Sequence, residues 1–125
     1  MGNNFNPRIL IVDDNRVTLL FLDELLSEEY EVVTKQDPSE ALDYIYSDTV
    51  DLVVSDYKMP KMNGVELFHE IKQIHRNVPF IMISAENNDE NVQKAKEAGV
   101  DSYMYKPLNI GTFLNTVKST LNLNT

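Results

Sequence analysis

Cysteine is absent from the 125 residues, so disulfides, a thiolate nucleophile and cysteine-held zinc are excluded together, and the chain suits a reducing cytosol. Positive charge is scarce: 11 Lys and Arg face 20 Asp and Glu, a net charge of −9. That balance argues against direct nucleic-acid binding, which rewards clustered Lys and Arg, and against docking on anionic lipid. Long apolar runs are missing too. Ile9-Leu10-Ile11-Val12 and Phe80-Ile81-Met82-Ile83 are each far too short to span a bilayer. The opening Met1-Gly2-Asn3-Asn4-Phe5-Asn6-Pro7 lacks the basic and apolar stretches of a signal peptide, and Asn6 stands where a myristoylation signal wants Ser or Thr. There is no internal repeat, low-complexity tract or Pro/Ser-rich linker. What is present fits a folded soluble chain: 42% hydrophobic and 25% charged residues leave little room for a disordered reading. The length suits one domain. We expect a single cytoplasmic domain over residues 1–125, with its core at about 8–121 and residues 1–7 as an N-terminal extension.

Two periods alternate along the chain. Short unalternating apolar runs lie at residues 9–12, 52–54 and 80–83, with a weaker one at Val32-Val33 and a mixed one at 103–105. Such runs suit strands buried on both faces, as in a parallel sheet. Helical stripes lie between them: Phe21, Leu22, Leu25 and Leu26; Ala41, Leu42 and Ile45; Leu67, Phe68 and Ile71; and Ile110, Phe113, Leu114, Val117 and Leu121. Asp37-Pro38 reads as a cap followed by a first-turn proline. The segment 89–98 is apolar only at Val92, Ala95 and Ala98, a thin stripe, and Gly99 reads as its C-terminal cap. The reading is an α/β chain of five β-α units, with right-handed crossovers and a five-stranded parallel sheet covered by helices on both faces.

In that architecture function gathers at the carboxyl ends of strands. The first run ends in Asp13-Asp14, the third in Ser55-Asp56, the fourth in Ser84-Ala85 and the fifth in Lys106-Pro107. Alone, each is unremarkable: an Asp after a strand is commonly a cap or turn residue. Together they place three carboxylates, a hydroxyl and an ammonium along one edge. Three gathered acids repel one another, so a cation must compensate. Lys106 is one candidate and a bound metal another. Oxygen donors without His or Cys point to Mg²⁺ or Mn²⁺ rather than zinc. His69 and His75 fall in or near the third helix, away from this edge, and read as surface residues. Asn63-Gly64 reads as a tight loop where glycine permits unusual backbone angles.

With Asp13-Asp14, Asp56, the following Tyr57-Lys58-Met59-Pro60-Lys61-Met62-Asn63-Gly64, then Ser84-Ala85, Tyr103 and Lys106-Pro107, the sequence resembles the chemotaxis-type receiver domain of two-component response regulators. The likeness spans residues 8–121. It implies a flavodoxin-like, doubly wound three-layer (βα)₅ sandwich with strand order 2-1-3-4-5. It implies that Asp56 is the phosphoacceptor, served by Lys106 and Ser84. Asp14, Asp56 and the backbone carbonyl of Lys58 would ligate Mg²⁺, with Asp13 acting through water. Lys106 would pair with Asp56 before transfer. Ser84 and Tyr103 would be switch residues, Tyr103 turning from exposed to buried to alter the surface of the fourth helix, fifth strand and fifth helix. Lys58 and Glu86 would tune the phosphorylated lifetime; from their opposite charges we further expect them to approach each other across the mouth of the site. The Lys106-Pro107 bond is cis in the family as a rule. Implied partners are a sensor histidine kinase or histidine phosphotransfer protein, and a downstream effector protein or linked output domain; the chain itself would be a monomer or weak dimer that turns over no external substrate.

Other readings fit less well. An aspartate-nucleophile phosphohydrolase wants a second Asp two residues after the nucleophile, where this chain has Lys58. A flavin module wants a Ser/Thr/Gly-rich phosphate loop, where Asp13-Asp14-Asn15-Arg16 would repel phosphate. A degenerate receiver working without phosphorylation would have lost an acid or the lysine, and this chain keeps them all.

Overall fold

Branched and aromatic residues favour extended backbone, and they supply much of five short strands. The computed structural model describes residues 6–85 and 89–122. Within them β1 (Arg8–Val12), β2 (Glu31–Lys35), β3 (Leu52–Asp56), β4 (Phe80–Ser84) and β5 (Ser102–Tyr105) alternate with α1 (Arg16–Leu26), α2 (Pro38–Ser47), α3 (Gly64–Ile74), α4 (Asp89–Ala98) and α5 (Ile110–Asn122). The strands pair in parallel in the order β2-β1-β3-β4-β5. This is the doubly wound order expected above.

Side chains alternate across the sheet, so each strand feeds two cores. Leu10, Val12, Val53, Phe80 and Met82 meet Ala41 and Ile45 of α2 and Leu67, Phe68 and Ile71 of α3. Ile9, Ile11, Leu52, Val54, Ile81 and Ile83 meet Leu19, Leu22 and Leu26 of α1 and Phe113, Val117 and Leu121 of α5. Every residue of β3 and β4 is buried, which is why those runs do not alternate with polar residues. The edge strands β2 and β5 are only half-buried, which explains their weaker and mixed sequence signals.

Two stripe members belong elsewhere. Phe21 is exposed, and the buried side of α1 is Leu19, Leu22 and Leu26. The cap sets this phase: the Asn15 side chain accepts from Val17 and Thr18 N–H, starting the helix at Arg16. Ile110, in the first turn of α5, is also exposed. Asp37 caps α2 by accepting from Ser39 N–H at 2.8 Å, with Pro38 in the first turn. Asn63 and Glu66 form a reciprocal capping box on α3. Gly99 takes φ +103° after α4, the left-handed cap its position predicts.

Strand order reverses at β1, which lies between β2 and β3. The crevice beyond the carboxyl ends of β1 and β3 is therefore where such a sheet opens to ligands.

Candidate functional site

Each strand-end residue reaches the rim by its own backbone route. Past β1, Asp13 N–H donates to the Lys35 carbonyl at 3.2 Å, so pairing with β2 continues one residue beyond the strand. The Asp13 side chain is buried and held at both oxygens. Oδ1 accepts from Asn15 N–H at 2.8 Å and Oδ2 from Lys106 Nζ at 3.1 Å. Asp14, the next residue, is exposed at the mouth. Asp56 ends β3 and is largely buried. The peptides after it are pinned on two sides: Tyr57 N–H donates to the Ile83 carbonyl at 2.8 Å, and Gly64 N–H donates to the Tyr57 carbonyl at 2.7 Å. Lys106 follows β5, its bond to Pro107 is cis, and its N–H donates to the Ser84 carbonyl at 2.8 Å. Ser84 is buried at the end of β4.

These routes converge. Carboxylate oxygens of Asp13, Asp14 and Asp56 lie within 4.8 Å of one another. Lys106 Nζ sits 3.1 Å from Asp13 Oδ2 and 3.6 Å from Asp56 Oδ1. The lysine expected beside Asp56 thus bridges two acids and stands closer to Asp13. The electrostatics follow from the crowding. Burial, then the neighbouring charge of Asp13, pushes the Asp56 carboxyl up to about 6, with Lys106 pulling the other way. The cluster is short of positive charge, and its donors are all hard oxygens. That donor set fits a divalent ion such as Mg²⁺ or Mn²⁺.

Other sequence-derived candidates fall as follows. Tyr103 is half-buried against the core on the α2–α3 face, with its hydroxyl oxygen buried and its ring edge-on to Tyr105 at 5.5 Å. Lys58 is exposed. Glu86 lies outside the described residues, and with it the expected approach of Lys58 and Glu86. His69 is exposed, but His75 is half-buried and its Nε2 lies 3.2 Å from the Ile45 carbonyl, so it joins α3 to α2 rather than resting on the surface. Gly64 is required for space rather than for backbone angle. A Cβ there would meet Met82 Sδ and would lie 2.7 Å from the Asp56 carbonyl oxygen. The left-handed angle in this loop belongs to Lys61, with φ 73°.

Asn15, Ser55 and Tyr57 have positioning roles that the sequence did not announce. Asn15 orients Asp13 through its backbone and caps α1 through its side chain; its place just before a helical stripe was the available signal. Ser55 donates to the Asp56 carbonyl at 2.9 Å. Tyr57 donates to Asn91 Oδ1 at 3.0 Å, a contact across 34 residues that no local pattern announces.

Comparison with known proteins gives a consistent result. A family model described as the response regulator receiver domain matches residues 9–118. Sporulation initiation phosphotransferase F of Bacillus subtilis is 33% identical over 119 residues, covering 94% of this chain and 96% of that protein. The sensor histidine kinase RcsC of Escherichia coli is 34% identical over 124 residues, covering 98% of this chain but 13% of that protein. The CheY-like receiver domain structure from Methanospirillum hungatei JF-1 superposes with a TM-score of 0.89 at 32% identity, covering 94% of this chain and 95% of that one.

Proposed function

Since the chain belongs to the response regulator receiver domain family, a family of signalling domains, we propose that Asp56 accepts a phosphoryl group from a phosphohistidine and that residues 8–121 act as one receiver unit. The observation that carries this reading is the meeting of the Asp13, Asp14 and Asp56 carboxylates with the Lys106 ammonium at the β1–β3 crevice.

A carboxylate oxygen of Asp56 attacks phosphorus; the bond to the donor imidazole breaks, and the departing nitrogen keeps the electron pair. Asp14, Asp56 and the Lys58 carbonyl would hold Mg²⁺, with Asp13 acting through water. Once bound, the ion supplies charge neutralisation on the phosphoryl oxygens. Lys106 balances the acids before transfer and pairs with a phosphoryl oxygen afterwards. The Ser84 hydroxyl donates to another, and Tyr103 carries the change toward α4, β5 and α5. Lys58 and Glu86 set how readily water reaches the acyl phosphate.

The surface beside Lys106 supports a protein donor. Val17 and Phe21 of α1 are exposed, Val17 by 75%. A cavity of about 300 Å³ beside them is lined by Val17, Phe21, Lys106, Pro107 and Leu108. An apolar rim next to an acidic pocket suits docking of a histidine kinase or histidine phosphotransfer protein. Output then passes to an effector protein or a linked output domain.

Incubation with acetyl phosphate and Mg²⁺, followed by intact mass, tests the reading. One phosphoryl group should add to the native protein and none to Asp56→Asn. An unmodified native protein, or equal modification of both, would overturn it.

A further inference from the structure

Tyr57 directly follows the acceptor, and its ring is buried in the core that also receives Val12, Met82 and Phe68. Packing accounts for the ring: a phenylalanine would fill the same space with no polar group to satisfy. It does not account for the hydroxyl, which leaves the core and donates to Asn91 Oδ1 at 3.0 Å. Asn91 lies in the first turn of α4 (Asp89–Ala98).

Two features make this bond consequential. First, the Tyr57 backbone is clamped, by the Ile83 carbonyl on one side and Gly64 N–H on the other. Gly64 packs so closely that no side chain would fit there, with Met82 Sδ and the Asp56 carbonyl in the place a Cβ would take. A displacement at Asp56 therefore passes into the rigid ring rather than dissipating in the loop. Second, α4 is thinly anchored. Ala95 is its one fully buried residue, and Val92 and Ala98 are half-buried. A part-buried side-chain hydrogen bond from the core to its first turn then contributes measurably to holding the helix in place.

We propose that the Tyr57–Asn91 hydrogen bond is a latch that reports the state of Asp56 to α4, with Tyr57 a positioning residue. The inference rests on Asp56 being the phosphoacceptor. An acyl phosphate brings added charge and new acceptor oxygens to the residue before Tyr57. The latch gives that change a path to α4 separate from the one through Ser84 and Tyr103.

The test is hydrogen exchange across residues 89–98, with and without acetyl phosphate and Mg²⁺, on the full chain. The wild type is first shown by intact mass to take up the phosphoryl group. Tyr57→Phe keeps the ring and removes the bond. In the unmodified protein it should raise local opening of α4 by about two- to tenfold and leave α2 and α5 unchanged. It should accept phosphate to the same extent, yet its exchange response at α4 should shrink by about two- to tenfold. Asn91→Leu should match it, Asn91→Asp, which keeps an acceptor, should retain the wild-type response, and the Tyr57→Phe/Asn91→Leu pair should add nothing to either single change. A wild-type α4 response in Tyr57→Phe, or additive effects in the double variant, would overturn the latch alone. No adduct on the wild type would bring down the acceptor reading and this inference with it, a failure visible before any variant is made.

Discussion

Gly64 and Asp56 show how much depends on single residues here. Gly64→Ala forces a methyl group against Met82 Sδ and the Asp56 carbonyl, an overpacking expected to cost about 1–3 kcal/mol. Urea unfolding with an unchanged slope would measure it, and the lost stability should come with slower phosphorylation because the same contact supports the acceptor. Asp56 carries the opposite burden. Its carboxyl is raised from 3.8 to about 6 by burial and by Asp13. Between those values the native state holds a proton the unfolded chain has lost, so this residue's contribution to stability falls as pH rises from about 4 to about 6 and is flat above. Asp56→Asn should therefore stabilise the metal-free protein by about 1–3 kcal/mol near pH 8, after allowing for screening at the open mouth, and by almost nothing near pH 4. Thermal melts at the two pH values check the sign. Asp56 was legible as a strand-end acid and Gly64 as a loop glycine. Their constraints were not, since the spacing that identifies Asn63-Gly64 as a loop says nothing of the sulfur beneath it.

At the scale of elements, local chemistry and packing part company. The caps were readable: Asp37 with Pro38 and Gly99 after α4 stand where their types predict. The phase of α1 was not. Phe21 has the spacing of a core residue, but the cap at Asn15 and the sheet beneath turn Leu19, Leu22 and Leu26 inward. Asn15→Ala should cost about 1 kcal/mol through the lost cap. Mg²⁺ binding should be nearly unchanged, because the backbone N–H of residue 15 that holds Asp13 Oδ1 is kept; isothermal titration would check that the loss is confined to stability. Among the five helices described, α4 has the fewest buried residues and should exchange its amides before α5, whose Phe113, Val117 and Leu121 are all buried.

For the molecule as a whole, two surfaces follow from the net charge and the fold. The acidic crevice should make the protein respond to Mg²⁺: at about 100 times its dissociation constant the ion adds about 2.7 kcal/mol of stability, and Asp14→Asn should remove most of that gain in denaturation curves. The apolar rim beside it should matter only to a protein donor. Val17→Glu or Phe21→Glu should slow phosphotransfer from a histidine donor at least about tenfold while leaving labelling by acetyl phosphate unchanged. Equal slowing with both donors would move the fault from docking to the site. No helix among the described residues is long and apolar enough to cross a membrane, in keeping with the short runs seen in the sequence.

By itself the sequence determined the five-fold β-α alternation and the identity of the strand-end residues Asp13, Asp14, Asp56, Ser84 and Lys106, because burial on both faces of a parallel sheet leaves unalternating apolar runs and the chain must turn at their ends. The tertiary structure alone decided how those groups share charge. Lys106 sits nearer Asp13 than Asp56, Phe21 faces outward, and the Tyr57 hydroxyl reaches α4. Coulomb energy, burial and hydrogen bonding depend on distances between segments tens of residues apart, and those distances exist only once the two cores have closed on the sheet.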